Sequence, residues 1–268
     1  MRFHTGSQTR FQTHLSIAIT LLGAALAANS VAAGAKPTII LVHGAFADST
    51  SWDKVSTRLI ADGYTVIAAA NPLRSVAGDG AYVASLVKSV AGPVVLVGHS
   101  YGGSVITAGV GENKNVKSLV YVAGFAPDKG ESAATLSGKF PGGTLGPTLA
   151  PPVALADGGK DLYILPAKFH AQFAADVPAK AAVLMAVNQR PVTDAALNEN
   201  SPVAPPWKTL PSYFIYGSLD KNIPAKAHAF MAERAKSRQT VAVAGASHVV
   251  MISHDAEVAK LIEKAAGD

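Results

Sequence analysis

The sequence has no cysteine, few charged residues and no apolar run long enough to cross a membrane. Without cysteine the chain forms no disulfide bond, so disulfide content says nothing about the compartment in which the protein works. The longest largely apolar stretch, residues 15–28, has fourteen residues, whereas a transmembrane helix needs about 20. Charged side chains make up 15% of the residues and form no basic run, which argues against nucleic acid as a partner.

The N-terminal 35 residues match the pattern of a secretory signal peptide. Arg2 and Arg10 form a basic region before the apolar stretch, and small residues follow that stretch as far as Ala35. Cleavage would suit the small-residue rule after Ala32, Ala33 or Ala35. An N-terminal membrane anchor is the alternative, but the apolar stretch is short for one. Because a twin-arginine pair is absent, we expect general export to the periplasm or the medium, without stable membrane association once residues 1–35 are removed.

The other 233 residues are enough for one α/β domain with a large core. Because residues 1–35 hold two basic and no acidic side chains, this part carries 21 Lys and Arg against 18 Asp and Glu, a formal charge of +3. Continuous apolar runs alternate with helical patterns, which is typical of a mainly parallel, doubly wound sheet with helices on both faces. Six strands are predicted, at residues 38–42, 64–69, 93–97, 116–123, 213–216 and 240–243. Helices are predicted directly after the third strand and at residues 49–62, 79–91 and 255–265.

Residues 128–207 interrupt this alternation. They are rich in Pro, Gly and Ala and contain no βαβ unit, although residues 161–176 and 179–188 have helical patterns. An insertion at the carboxyl end of a parallel sheet lies over the crevice where ligands bind. We therefore expect a cap of helices and proline-containing loops at 128–207, and a core formed by residues 36–127 and 208–268. Apolar cap side chains are candidates for lining a pocket, although packing onto the core explains most of them singly.

The sequence Gly98-His99-Ser100-Tyr101-Gly102 joins an apolar strand to a stretch that can start a helix, and it has the form Gly-x-Ser-x-Gly. In so tight a turn the central residue is strained, and side chains at the two glycine positions would collide with it. Ser100 is therefore expected at the tip of the turn, beside the free N–H groups and positive dipole end of a helix N-terminus. This arrangement suits a nucleophile. The alternative is a glycine-rich turn with an incidental serine.

A serine hydroxyl is a poor nucleophile unless a base and an orienting acid lie beside it. In doubly wound sheets such groups project from the carboxyl ends of strands. Asp220 follows the strand at 213–216, and His248 follows the strand at 240–243. The chain order Ser100, Asp220, His248 is the one expected when the serine lies on a strand-to-helix elbow.

Each partner of the serine has a rival in the sequence. Asp128, which follows the fourth strand, is the alternative carboxylate to Asp220. His254 is the other late histidine, but it lies where the last helix begins and is interpreted as a surface or N-terminal helix residue. His43 and His99 adjoin the motif residues and are interpreted as structural histidines.

Acyl transfer also needs two preorganised N–H donors for the negative charge that develops on the carbonyl oxygen. One is expected to be the backbone N–H of Tyr101, directly after the serine at the helix start. The other is expected in the loop after the first strand, at Ala45, with Phe46 as the second choice. The sequence has no cluster with metal-ligand spacing, and neither a metal nor an organic cofactor is expected.

Together these motifs resemble those of the α/β-hydrolase superfamily, over essentially the whole chain after residue 35. The resemblance implies the α/β-hydrolase fold, with the cap between the sixth and seventh standard strands. It also implies that Ser100 is the nucleophile, His248 the base and acid, and Asp220 the orienting carboxylate, and that Ala45 and Tyr101 are the oxyanion donors. Four segments are similar to the branch of plant methylesterases, hydroxynitrile lyases and small bacterial serine esterases, namely His43-Gly44-Ala45 with Trp52, residues 98–103, Asp220-Lys221 and residues 244–248.

The resemblance also narrows the chemistry. Hydroxynitrile lyases of this branch carry a lysine directly after the catalytic histidine and a threonine in the oxyanion loop, where this chain has Val249 and Ala45. Cyanide would leave without a cation nearby, so lyase chemistry is disfavoured. Haloalkane dehalogenation is disfavoured too, since it needs a carboxylate in place of Ser100.

The sequence thus predicts a serine hydrolase of small carboxylic esters that acts through an acyl-enzyme on a Ser-His-Asp triad. Its expected partner is a small-molecule ester. Hydrolysis of a lactone, an amide or a carbon–carbon bond, or perhydrolase activity, is the alternative on the same triad. A second alternative is a non-catalytic member of the fold that only binds a ligand.

Overall fold

A computed structural model describes residues 36–268, and this part of the chain contains a parallel sheet of six strands. In chain order the strands of the described residues are β1 (Thr38–Val42), β2 (Val66–Ala69), β3 (Val94–His99), β4 (Val116–Val122), β5 (Val153–Ala154), β6 (Lys160–Leu162), β7 (Val192–Thr193), β8 (Ser212–Gly217) and β9 (Gln239–Val243). The main sheet has the order β2-β1-β3-β4-β8-β9, and each neighbouring pair is parallel. This confirms the predicted α/β fold with six mainly parallel strands. The predicted signal peptide at residues 1–35 lies outside the described residues.

Helices flank the sheet. In chain order they are α1 (Asp53–Ala61), α2 (Val76–Ser89), α3 (Tyr101–Gly109), α4 (Ala133–Gly138), α5 (Pro166–Phe173), α6 (Ala179–Asn188), α7 (Asp194–Asn198), α8 (Ala225–Arg234), α9 (Val250–Ser253) and α10 (Asp255–Gly267), with short 3-10 turns at Ser49–Trp52, Gly146–Thr148 and Pro206–Lys208. Helix α2 packs on α3, and α1 packs on α10. None of the helices within residues 36–268 is both long enough and apolar enough to span a bilayer.

The central strands are apolar throughout because helices cover the sheet. Every residue of β3 and β8 is buried, which explains why these strands read as continuous apolar runs rather than alternating ones. Predicted and observed strand ends in the main sheet differ by at most two residues. Helix α2 begins three residues before its predicted start, because the Ser75 side chain accepts a hydrogen bond from the Gly78 N–H and caps it there.

Between β4 and β8 the chain forms α4 to α7 and a second, antiparallel sheet in the order β5-β6-β7, which the sequence did not predict. The helix predicted at residues 179–188 is confirmed as α6. The helix predicted at residues 161–176 is wrong at both ends, because β6 covers its first two residues and α5 spans only Pro166–Phe173. The backbone of Leu165 is extended, as expected for a residue before proline, so helix α5 cannot extend further toward the N-terminus.

Candidate active site

Ser100 lies in the turn between β3 and α3, with backbone angles of φ 52° and ψ −124°. A positive φ is unusual for a residue with a side chain, so the surrounding structure must hold the turn in place. A side chain at Gly98 would meet the carbonyl oxygen of Gly102, and one at Gly102 would meet that of Val42. Both glycines of the motif are therefore required by close approach of the backbone. The sequence predicts that side chains at these positions would collide with the serine. In the structure the clashes are instead with these carbonyl groups.

Three side chains from separate loops form one hydrogen-bonded series. His248 Nε2 lies 2.9 Å from Ser100 Oγ, and His248 Nδ1 lies 2.7 Å from Asp220 Oδ2. The side chains of His248 and Asp220 are 1% and 0% exposed. All three residues follow strands of the main sheet, so they meet at its carboxyl edge. An imidazole that donates Nδ1–H to a carboxylate presents Nε2 to the hydroxyl as a proton acceptor.

The Asp220 carboxylate has hydrogen-bond donors on both oxygens. Its Oδ1 accepts the backbone N–H groups of Asn222 at 2.8 Å and Ile223 at 3.0 Å. Its Oδ2 accepts from His248 and also from His228 Nε2, which lies 3.1 Å away. Burial raises the pKa of the Asp220 carboxyl, but the charge of His248 and the histidine hydrogen bonds outweigh burial and hold that pKa well below its ordinary value. The carboxylate therefore stays ionised and fixed in orientation.

His228 is the site residue that the sequence analysis missed. It lies on α8, which starts directly after Pro224, and its side chain is 1% exposed. The sequence does contain a signal for this residue. A helix that begins after Pro224 brings a residue of its first turns back beside Asp220. No helix is predicted at this position from the sequence, so the sequence alone does not place His228 beside Asp220.

The rival residues lie in other surroundings. Asp128 forms an ion pair with Lys208, with 2.8 Å between the carboxylate and the ammonium group. The His254 ring faces Glu257 at 3.3 Å and Asp176 at 3.8 Å. The structure therefore brings Ser100, Asp220 and His248 together, and it gives both rivals partners of their own.

The other two buried histidines hold the backbone around this series. His99 Nε2 donates to the carbonyl oxygen of His248 at 3.2 Å. His43 Nδ1 donates to the Gly44 carbonyl oxygen at 3.0 Å, and its Nε2 accepts the backbone N–H of Asn71 at 3.1 Å. These contacts agree with the interpretation of His43 and His99 as structural residues.

Hydrogen bonding separates the candidate oxyanion donors. The Phe46 N–H donates to the carbonyl oxygen of Arg190 at 3.0 Å and is thus occupied. Among the hydrogen bonds of residues 36–268, neither the Ala45 N–H nor the Tyr101 N–H has an acceptor. Tyr101 is the first residue of α3, where a backbone N–H has no partner inside the helix. Ser100 borders the same cavity as Ala45 and Tyr101, so the N–H groups of Ala45 and Tyr101 remain the candidate oxyanion donors.

An apolar cavity of about 400 Å³ opens onto Ser100 and His248. Residues between β4 and β8 supply much of its wall, among them Ala133, Leu149 and Phe173. On helix α5, Phe173 lines the cavity, whereas Phe169 is fully buried in the core. The part of the chain that the structure describes contains no group of three or more His, Asp or Glu side chains placed to hold a metal ion.

Three buried histidines should make the free energy of unfolding depend on pH. Burial lowers the pKa values of His43, His99 and His228, so these rings stay neutral in the folded protein when the unfolded chain, with a pKa of about 6.5, takes up protons. The free energy of unfolding is therefore expected to be level above that pH and to fall below it, by up to roughly 1.4 kcal/mol per pH unit for each histidine.

Urea unfolding followed by tryptophan fluorescence between pH 5 and pH 8 measures this slope. In the variant His228→Gln, the slope of the free energy of unfolding against pH should be smaller by the contribution of one histidine, roughly 1.4 kcal/mol per pH unit. A free energy of unfolding that does not change across this range would contradict the prediction.

Comparison with known proteins agrees with this architecture. A family model described as "Alpha/beta hydrolase family" matches residues 39–261. Similar solved structures include polyneuridine aldehyde esterase (18% identity, TM-score 0.73), methylesterase MES16 from Arabidopsis (18%, 0.69) and an extracellular alpha/beta-hydrolase from a Paenibacillus species (20%, 0.69). The alignments cover 86%, 86% and 87% of this chain and 99%, 99% and 100% of those chains. A search of curated proteins finds no significant match. At these identities the likeness to solved structures establishes the fold.

Proposed function

The chain belongs to the alpha/beta hydrolase family, and from that premise we propose that it is a serine hydrolase that cleaves small carboxylic esters through an acyl-enzyme. The observation that carries the proposal is the hydrogen-bonded series of Ser100, His248 and Asp220 beside two available N–H donors. Two proteins of similar structure, the polyneuridine aldehyde esterase and the methylesterase, are named for ester hydrolysis, which is consistent with this proposal.

In the proposed reaction, Ser100 Oγ attacks the ester carbonyl carbon while His248 Nε2 takes the hydroxyl proton. Asp220 keeps the imidazole in the Nδ1–H tautomer and stabilises the imidazolium that forms. The N–H groups of Ala45 and Tyr101 bind the oxyanion, each contributing about 3 kcal/mol of transition-state stabilisation. His248 then gives its proton to the departing alcohol, and water repeats the sequence on the acyl-enzyme to release the acid.

The cavity supports a small and largely apolar substrate. Its volume of about 400 Å³ is at the lower end of the usual range for small-molecule sites. Its lining includes small side chains and glycines, such as Ala133, Ala134 and Gly146, as well as the aromatic rings of Phe46 and Phe173. We therefore propose that the acyl and alcohol groups are short or compact and uncharged.

Covalent labelling tests the proposal. Intact-mass analysis after exposure to a fluorophosphonate is expected to show a single adduct on the parent protein and none on the Ser100→Ala variant, because only an activated serine attacks the phosphorus. Circular dichroism verifies that both proteins are folded. An unlabelled parent, or an adduct that persists on the variant, would count against a nucleophilic Ser100.

A substrate panel tests the ester specificity. Turnover of short acyl esters is expected to exceed that of lactones and amides, whereas lactone turnover far above ester turnover would replace the ester proposal.

We also propose that this activity is exported, on the basis of the predicted signal peptide at residues 1–35. N-terminal sequencing of the protein recovered from the periplasm or the medium measures the cleavage position.

A further inference from the structure

Two histidines donate to one oxygen of the Asp220 carboxylate. His248 Nδ1 lies 2.7 Å from Oδ2, and His228 Nε2 lies 3.1 Å from the same atom. We propose that His228 is a positioning residue that fixes the Asp220 carboxylate for His248 and moderates its negative charge. The proposal rests on the proposed serine-hydrolase function and adds a fourth residue to it.

The surroundings of His228 define its tautomer. Its Nδ1 is buried and has no hydrogen-bond partner among residues 36–268, while its Nε2 faces the ionised carboxylate. A proton on Nε2 therefore makes a hydrogen bond, whereas a proton on Nδ1 would be a buried donor without an acceptor. Burial lowers the pKa of His228, so the ring is neutral and carries its single proton on Nε2.

The ring is also held rigidly. It stacks on Tyr216, with 4.8 Å between ring centroids and 15° between planes, and its side chain is 1% exposed. Asp220 accepts its hydrogen bond and Tyr216 stacks on the ring, while a charge on the nearby His248 disfavours protonation of His228 and lowers its pKa. A donor fixed in this way holds the carboxylate plane without the entropy loss that ordering a flexible side chain would bring.

Two consequences follow for the reaction. With two backbone donors on Oδ1 and two histidine donors on Oδ2, the carboxylate has no free acceptor position, so it cannot rotate away from His248. The His228 hydrogen bond also withdraws charge from the oxygen that stabilises the imidazolium. Removing it should leave the imidazolium more strongly stabilised and move the acid limb of the kcat/KM profile to higher pH.

Three variants separate hydrogen bonding from space filling. His228→Gln keeps an N–H donor near the position of Nε2, His228→Asn carries a donor that is too short to reach, and His228→Leu has none. The kinetics are measured with p-nitrophenyl acetate from pH 5 to pH 9. Because the carboxylate is then free to turn away from His248, we expect the loss of positioning to outweigh the stronger stabilisation of the imidazolium, with roughly a 10-fold or larger fall in kcat for the leucine and asparagine variants. KM should change little, because His228 does not line the cavity.

His228→Gln is expected to recover most of the lost kcat and the parent pH profile. Equal losses in the glutamine and leucine variants with an unshifted acid limb would overturn the proposal and leave His228 as a packing residue. Parent activity in the leucine variant would overturn it as well.

A spectroscopic measurement keeps this test apart from that of the proposed function. Long-range ¹H–¹⁵N spectra of the parent protein are expected to show His228 protonated at Nε2 only, and they need no substrate. The His248 Nδ1 proton resonance should shift in His228→Leu and not in His228→Gln. Protonation of His228 at Nδ1 would overturn the positioning role, whereas a parent that hydrolyses no ester and takes up no fluorophosphonate would overturn the proposed function.

Discussion

Replacing Ser100 with alanine is expected to lower kcat for short acyl esters by a factor on the order of 10⁶, because no acyl-enzyme can form. The residual rate should be the part that the oxyanion donors supply to direct attack by water. KM should stay close to that of the parent, since the cavity walls are unchanged. Steady-state kinetics with p-nitrophenyl acetate at neutral pH, with enzyme concentrations raised for the variant, measure the difference.

Ser104 provides a matched control one turn further along α3. It is 2% exposed, and within residues 36–268 its hydroxyl has no hydrogen-bond partner, so Ser104→Ala removes a nearby buried hydroxyl without breaking a hydrogen bond. This variant is expected to retain parent activity. Turnover by Ser100→Ala near the parent level, or an equal loss in both variants, would refute the assignment of Ser100 as nucleophile.

The parts of the site that depend on chain neighbours could be predicted from the sequence. The turn at Ser100 follows from Gly98 and Gly102, which permit a close approach that any side chain would block. The strands before Asp220 and His248 read as apolar runs because both faces of the sheet are covered. Since parallel strands end at the same edge, their order in the chain was enough to suggest which side chains meet there.

The parts that depend on distant segments could not be predicted. The Phe46 N–H is excluded as a donor only because the Arg190 carbonyl, from the far end of the cap segment, occupies it. Strand β6 has three residues, of which only Leu162 is apolar, so its pattern is too short to distinguish strand from helix. Pairing with β5 and β7 decides between them. His228 is near Asp220 in the chain, but its role depends on α8 folding back onto the end of β8.

Replacing Asp220 with asparagine is expected to lower kcat by about 10⁴-fold while leaving the fold intact, because the amide reverses the hydrogen bonding of His248. The two backbone N–H groups on Oδ1 require an acceptor there, so the amide oxygen must take that position. The amide N–H₂ group then occupies the Oδ2 position and faces the nitrogens of His248 and His228. Each ring can only accept there, so His248 must carry its proton on Nε2, where it can no longer take the Ser100 proton.

Asp128→Asn is the control, because Asp128 is the rival carboxylate that follows β4. Among the described residues its side chain binds the exposed Lys208 ammonium group and the neighbouring Lys129 N–H. Loss of an exposed ion pair costs little, and parent kcat is expected. The two variants are compared by kcat with p-nitrophenyl acetate and by their rates of fluorophosphonate labelling, which should fall together in Asp220→Asn because both depend on proton removal from Ser100. A loss of kcat below about tenfold in Asp220→Asn would mean that His248 keeps its Nδ1–H tautomer without a carboxylate acceptor. A larger loss of kcat in Asp128→Asn than in Asp220→Asn would assign the orienting role to Asp128 instead.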